Sequence, residues 1–407
     1  MTPFWRYWTA SAISQVGSSV TAVALPLTAL LQLHATPFQV GLVAGSSYVG
    51  WALLGLPAGV ICQFLSLRGV QITTDLVRAV AIATIPAAWA LGDLTITQLI
   101  AVALIISACT VLFDVSNSTF LPAIVSSEEL NNRNSWVSGL ASTTQLAGPP
   151  GAGALIQILG PAYALIIDGV SYVGSAIMLW TLPPRTQQRP DEPPRLIRMI
   201  KVGWTFVVRQ PIMRACLLDA TASNFVAGAF LVLVPVYLVR DLGASPFVVG
   251  ALLAAEGVGG LLGATLAPRI TAVVGSARAA LGGSVFSCGT VVLLPLAKGV
   301  LGLVLFAVGS VGFAAGAVLT SINTRTYRQI ASPPELLSRV MATVRFVSWG
   351  VIPVGSFLAG GLAGAIGTRT CLLLFCLLSW LSPLILALSP VRGLRELDPR
   401  MPSKATA

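Results

Sequence analysis

Charge is scarce in this sequence. Asp, Glu, Lys and Arg make up 9% of its 407 residues, against roughly 25% in an ordinary soluble domain. Water is therefore not the main solvent of its surface. Histidine occurs once, at His34, and one imidazole cannot build a metal site alone. The six cysteines (Cys62, Cys109, Cys216, Cys288, Cys371 and Cys376) form no CxxC pair and read as small apolar packing residues. HExxH, GxSxG and a paired Asp-rich motif are all missing, which argues against an intramembrane enzyme. GxxxxGK[ST] is missing too, which argues against an ATP-driven pump. No cofactor, metal or enzymatic reaction is expected.

What is abundant is apolar length. Hydrophobic residues make up 55% of the chain, and its mean hydropathy is +0.86. Runs of about 20 residues, enough to cross roughly 30 Å of hydrocarbon as helix, fall near 11–33, 39–62, 74–92, 97–121, 136–158 and 162–183. Six more lie near 214–239, 247–267, 277–297, 300–322, 340–364 and 369–389. The first is too long for a signal-peptide core and reads as a retained helix. The net charge of +10 would suggest nucleic acid in a soluble protein; here the positive-inside rule accounts for it. With both termini, the even-numbered loops and the middle stretch in the cytoplasm, that side holds 21 of the 24 Lys and Arg. The opposite side keeps Arg240, Lys298 and Arg369. A multi-pass protein of the cell membrane with both termini cytoplasmic is expected.

The stretch 183–214 divides the spans into two sets of six. Its start is Pro-rich and polar, and "RLIRMIKVGWTFVVR" spaces Arg195, Arg198 and Lys201 three apart, as an interfacial helix would. The expected organisation is a six-helix bundle over 1–183, a cytoplasmic linker over 184–213, a second bundle over 214–391 and a tail over 392–407. The halves repeat. "ATPFQVGL" follows Pro26 as "ASPFVVGA" follows Pro235, and "PAIVSSEEL" is answered by "RQIASPPEL". Gly148, Gly153 and Gly160 match Gly355, Gly360 and Gly367 at a constant offset of 207. Both halves start on one side, so the repeat is parallel. An all-α integral membrane protein follows, its twelve transmembrane helices in two parallel pseudo-symmetric six-helix bundles, as in the major facilitator architecture.

The residues themselves carry a resemblance over nearly the whole chain. "FWRYWTASAISQVG", "GLPAGV", "TDLVRA", "VLFDVSNSTFLPAIV", "EELNNRNSWVS" and "PPELLSRVMATVRFVSWGVIPVGS" occur in order. In them the chain resembles the branch of the major facilitator superfamily that holds macrolide-efflux and enterobactin-exporter-like proteins. "QLAGPPGAGALIQ" is similar to the exporter-type motif of helix five, through Gly148, Pro149 and Gly153. The resemblance implies export of a small organic molecule such as an antibiotic or siderophore, commonly driven by protons. It also exposes two departures. The loop after "GLPAG" usually carries an Asp and several Arg; here Gln63 and Phe64 take the first places and Arg68 alone remains. After the Gly of "SQVG", where an acid is common, stands Ser18.

Ionisable groups inside spans are costly and mark function. Glu256 lies near the middle of span eight, beside the Gly259/Gly263 pair, where a carboxylate facing protein or a wet cavity would take up and release a proton. Asp114 shares a helix face with Ser107, Thr110, Asn117 and Ser118. It is the second proton-coupling candidate, and the family layout implies Arg345 as its partner, in a gate or in substrate contact. Asp75 and Arg78, three apart and so helix neighbours, are read with Arg68 as a gating charge network. Asp168, Asp219, Asn117, Tyr48 and Trp349 are substrate-cavity candidates; for Tyr48 and Trp349 packing or interface anchoring is the bland alternative.

The reading is a secondary active transporter that exports a small molecule by alternating access. Its expected partners are that substrate, protons and the lipid bilayer, with no nucleic acid; a monomer is expected. The alternatives are an uncoupled facilitator or importer, or a non-transporting sensor or assembly protein. The depleted loop generates a test: Gln63→Asp should change conformational bias or transport rate, read as altered transport kinetics in vesicles. Identical kinetics would show that this loop has ceased to matter.

Overall fold

The computed structural model describes residues 2–125, 129–182 and 196–397. The Pro-rich start of the linker, residues 126–128 and the tail beyond 397 lie outside them, as does the side chain of Gln63. Among the described residues the regular structure is helical throughout. In chain order the helices are α1 (Pro3–Leu27), α2 (Pro37–Leu54), α3 (Pro57–Phe64), α4 (Leu67–Leu91), α5 (Ile96–Ile124), α6 (Leu130–Leu159), α7 (Pro161–Trp180) and α8 (Leu196–Arg209). They continue with α9 (Pro211–Val236), α10 (Pro246–Val274), α11 (Ser276–Val291), α12 (Gly299–Ala331), α13 (Pro334–Gly350), α14 (Ile352–Ile366), α15 (Thr368–Leu378) and α16 (Leu381–Ala387).

Ten helical stretches among the described residues are long and apolar enough to cross a membrane. The other two expected spans are helical but fall short for identifiable reasons. The second is broken at Gly55–Leu56 ahead of Pro57, which supplies no backbone N–H, so it becomes α2 and α3. The fifth, α6, is diluted by Asn, Ser, Thr and Gln and carries Pro149 and Pro150. Large apolar side chains such as Leu53, Val80, Leu91, Ile158, Val170 and Leu388 stand exposed on the helices, as lipid-facing residues must. The six cysteines are free and buried.

The repeat read from the sequence is also written into the backbone. Pro26 and Pro235 sit near the ends of α1 and α9. Each is followed by a wider, i→i+5 turn, at Thr28–Gln32 and Tyr237–Asp241. Thr36 and Ser245 then occupy the same cap position: Gln39 N donates to Thr36 Oγ1 at 3.3 Å and Val248 N to Ser245 Oγ at 3.5 Å. Gly160 and Gly367 adopt φ 81° and 83° with ψ 155° and 150°, a region essentially closed to side chains, so each joins two helices without an intervening loop.

The chain divides into two compact units, Met1–Pro194 with Leu238–Ala254 and Arg195–Tyr237 with Ala255–Ala407. In the first, α7 packs along α1 and α4, and α5 along α2 and α4. In the second, α9 packs along α14 and α11 along α12. Small residues allow backbones to meet directly. A Cβ on Gly355 would lie 2.0 Å from Phe225 O, and one on Gly228 2.2 Å from Ile352 O, so α9 and α14 touch main chain to main chain. Gly259 and Gly263 do the same for α10 against α12, toward Val311 O and Ala315 O. The amphipathic α8 docks on α13 through Gly203, which abuts Arg339 O and Thr343, and Val207 enters the core beneath it.

These contacts make a contrast measurable. Gly355→Ala should lower the unfolding temperature of the detergent-purified protein, at a cost of about 1–3 kcal/mol for overpacking. Gly364→Ala, whose Cβ would meet nothing within 4 Å, should leave it unchanged or raised.

Candidate functional site

Helical periodicity brings the polar residues of the first unit onto converging faces. Gln71, Asp75 and Arg78 follow one another along one side of α4, and Asp168, Ser171, Tyr172 and Ser175 along one side of α7. Where α1, α4 and α7 meet, these faces form a cluster almost closed to water: Asp75 and Asp168 are 0% exposed and Arg78 3%. Arg78 pairs with Asp75. Its guanidinium lies between the rings of Phe113 and Tyr172, with centroids at 4.6 Å and 4.3 Å. Asp168 accepts from Thr21 on α1 and, at 3.1 Å, from Ser171 Oγ. Tyr172 Oη shares a 3.0 Å hydrogen bond with Ser18 Oγ. Gly17 makes the room, since a Cβ there would lie 1.9 Å from Ser171 Oγ and 2.5 Å from Asp168 Oδ1. The second oxygen of Asp75, both amide atoms of Gln71 and Ser175 Oγ are buried without a hydrogen-bond partner among the described residues.

The second unit holds its own buried acid. Asp219 on α9 accepts from Ser382 on α16, whose Oγ lies 2.8 Å from Ser284 Oγ and 3.2 Å from Ser223 Oγ. Ser382 has one proton to give, so with Asp219 accepting it, Ser284 and Ser223 are the donors to Ser382. This cluster walls a cavity of about 280 Å³ between α9, α11, α12 and α16. Arg328, 7% exposed, lines the same cavity. Its Nε donates to Thr324 O at 3.1 Å.

The remaining candidates are distributed. Glu256 is half-buried in α10 and has neither hydrogen bond nor ion pair among the described residues. Asp114 is half-buried beside the Tyr7 hydroxyl, which also approaches Ser11 and Asn117. Asn117 Oδ1 is buried without a partner among the described residues. Arg345 is exposed, its guanidinium 4.6 Å from the Trp349 ring centroid. Tyr48 is half-buried. Arg68 donates to Trp180 O at 2.9 Å, completing the carboxyl end of α7, while the Asp75–Arg78 pair lies two turns into α4. In α6, a Cβ on Gly148 would lie 2.6 Å from Ser19 Cβ. One on Gly153 would meet Pro246 O at 2.6 Å, and one on Gly250 would meet Pro149 O at 2.3 Å. The Gly-Pro stretch of α6 therefore packs main chain to main chain on the opening turns of α10.

The structure thus brings Asp75, Arg78 and Asp168 into one cluster and puts Asp219 in another. Both aspartates were read as cavity candidates; each is held inside its own unit by hydroxyls from a neighbouring helix. Sequence reading passed over Arg328, Ser382, Thr21 and Tyr172. Thr320, Thr324 and Arg328 recur every four residues along α12, and that stripe is the one signal that would have exposed Arg328.

The comparisons agree with this architecture. The model of a family described as transmembrane secretion effector matches residues 1–405. Among curated proteins, the multidrug efflux pump Tap of Mycolicibacterium fortuitum is 25% identical over 400 residues, covering 96% of this chain and 95% of that one. The MFS-type transporter y4rN of Sinorhizobium fredii is 26% identical over 360 residues, 86% of each. Among solved structures, the nucleoside transporter NupG superposes with a TM-score of 0.74 at 12% identity, covering 95% of this chain and 98% of that one. An inward-facing bacterial homologue of the iron transporter ferroportin gives 0.67 at 17%, covering 94% and 98%. Buried charge inside packed apolar helices, a parallel repeat and a family match over nearly the full length converge: the chain is a multi-pass membrane transporter of the major facilitator superfamily and belongs to its transmembrane secretion effector family.

Proposed function

We propose that this transporter is a proton-coupled exporter of a small organic molecule, working by alternating access from the cytoplasmic membrane with both termini in the cytoplasm. The Lys and Arg bias supports the orientation, and the efflux function named for the Tap relative supports the direction. The observation that carries proton coupling is a charge count. In the first unit two carboxylates, Asp75 and Asp168, face one guanidinium, Arg78, in a cluster almost closed to solvent. One excess negative charge in a low-dielectric interior is costly, and a single proton removes it. The other groups facing this cluster are Tyr172 from α7, Cys109 and the Phe113 ring from α5, and Ser18 and Thr21 from α1. None of them supplies a second positive charge.

Glu256 is the second proton carrier in this reading, because among the described residues it has no fixed partner that would hold it in one charge state. Asp114, beside the Tyr7 hydroxyl, is the third. Protonation drives transport only if inward-open and outward-open states differ in proton affinity. The absence of acids at Ser18 and Gln63 favours a second reading, an uncoupled facilitator.

Inverted vesicles containing the protein decide between them. Energised vesicles should accumulate at least one member of a panel of cationic dyes and antibiotics, and a protonophore should abolish that accumulation. Accumulation that a protonophore leaves intact would remove proton coupling; no uptake of any panel member would favour a sensor or assembly role. Glu256→Gln should retain substrate exchange while losing pH-driven accumulation, and normal accumulation would end its proton role. Asp168→Asn fixes the cluster in its neutral state, so the variant's transport rate should follow a changed pH profile, with Glu256 and Asp114 still titrating. A wild-type pH profile would place the proton elsewhere.

A further inference from the structure

The cavity of the second unit contains two buried charges of opposite sign that do not touch. Asp219, 3% exposed, accepts from the Ser382 hydroxyl and has no cationic group within ion-pair distance among the described residues. Arg328, 7% exposed, spends its Nε on Thr324 O and has no carboxylate within ion-pair distance among the described residues. Among the described residues its other four N–H donors meet no acceptor, on a side chain that lines the cavity. Buried charges are ordinarily paired, and one left bare is expensive. Two such groups on the walls of one 280 Å³ cavity form a divided site rather than a broken salt bridge.

We infer that this cavity is a binding site for a small zwitterion of the amino-acid class, its carboxylate on Arg328 and its ammonium on Asp219. The guanidinium fork matches a carboxylate, which accepts two parallel N–H bonds. An ammonium gives Asp219 the ionic partner that Ser382 cannot. Neutrality selects between ligands. The walls sum to zero charge, Asp219 against Arg328, so a lone anion or a lone cation leaves one uncompensated charge in a poorly solvated space. A zwitterion leaves none. The surrounding hydroxyls of Ser223, Ser284 and Thr320 suit a polar frame, and the volume limits the ligand to a few non-hydrogen atoms beyond its two charged ends. The site does not depend on the export reading, since it requires only that the unit fold as described.

The test is equilibrium binding to the full-length protein in nanodiscs, with radiolabelled L-serine as probe and glycine and γ-aminobutyrate as competitors. Acetate and methylammonium each supply half of the zwitterion. Saturable L-serine binding is expected, displaced by at least one zwitterionic competitor and by neither half at equal concentration. Arg328→Gln and Asp219→Asn should each weaken it by at least about tenfold. Ala317→Phe keeps both charges and fills the cavity, so it should abolish binding while the size-exclusion profile stays native; it decides the matter if the charge variants do not fold. No saturable binding of L-serine, or binding that survives all three substitutions, would overturn the assignment and leave the cavity to water. Proton-driven export measured in vesicles is untouched by that result, so the two readings fail separately.

Discussion

Hydrocarbon offers no hydrogen bonds, so a polar group inside a span that finds no partner within the protein is costly. The structure is organised around that constraint. Arg78 is the severest case, because its charge lies in an almost dry interior, 3% exposed. Its position requires Asp75 one turn away, two aromatic faces to receive the guanidinium, and a second acid, Asp168, within electrostatic reach. Asp168 in turn requires Thr21, and Gly17 to leave it room. The packing of α1, α4 and α7 is therefore set as much by a charge that cannot be left bare as by apolar burial.

The same constraint has been met twice, in mirror fashion. In the first half the acid lies on the last helix of the bundle, α7, and the hydroxyl that serves it on the first, α1. In the second half the acid lies on the first helix, α9, and the hydroxyl near the end, on α16. The backbone has kept its duplicate character, in the paired wide turns after Pro26 and Pro235 and the paired left-handed glycines Gly160 and Gly367. The side-chain chemistry has diverged. One cluster is sealed by aromatic rings and an ion pair; the other opens into a cavity with its charges apart.

Much of the fold was legible because its determinants are local. Apolar run length, Pro and Gly at a fixed offset, and the spacing of Asp75 and Arg78 are all properties of one short segment. The two spans that fall short show the limit of that reading: α2 and α6 have the right length, but Pro57 interrupts one and polar residues thin the other. The site was less legible. Periodicity says which residues share a face, and it says nothing about which faces meet. Asp168 and Asp219 were visible as ionisable residues in spans, yet their partners Thr21 and Ser382 lie 147 and 163 residues away. Serine and threonine are neutral in hydropathy and leave no mark. Arg328 was hidden differently, near the end of a long helix where a basic residue is ordinarily an interface anchor.

α10 shows how a titrating group can be carried without disturbing the fold around it. Its opening turns belong to the first unit, where Gly250 meets α6 at Pro149 and Gly153; its later turns belong to the second, where Gly259 and Gly263 meet α12. Glu256 lies between these contacts, about 9 Å along the axis from Gly250. Both flanking contacts are main chain to main chain, so their strength does not depend on the charge of any side chain. A carboxylate held by a salt bridge would have to break it each time it took a proton, and helix packing would pay in every cycle. Glu256, half-buried and unpartnered, has nothing of that kind to break. Where Arg78 fixes the first unit by being unable to lose its charge, Glu256 is placed so that losing its charge costs the packing little.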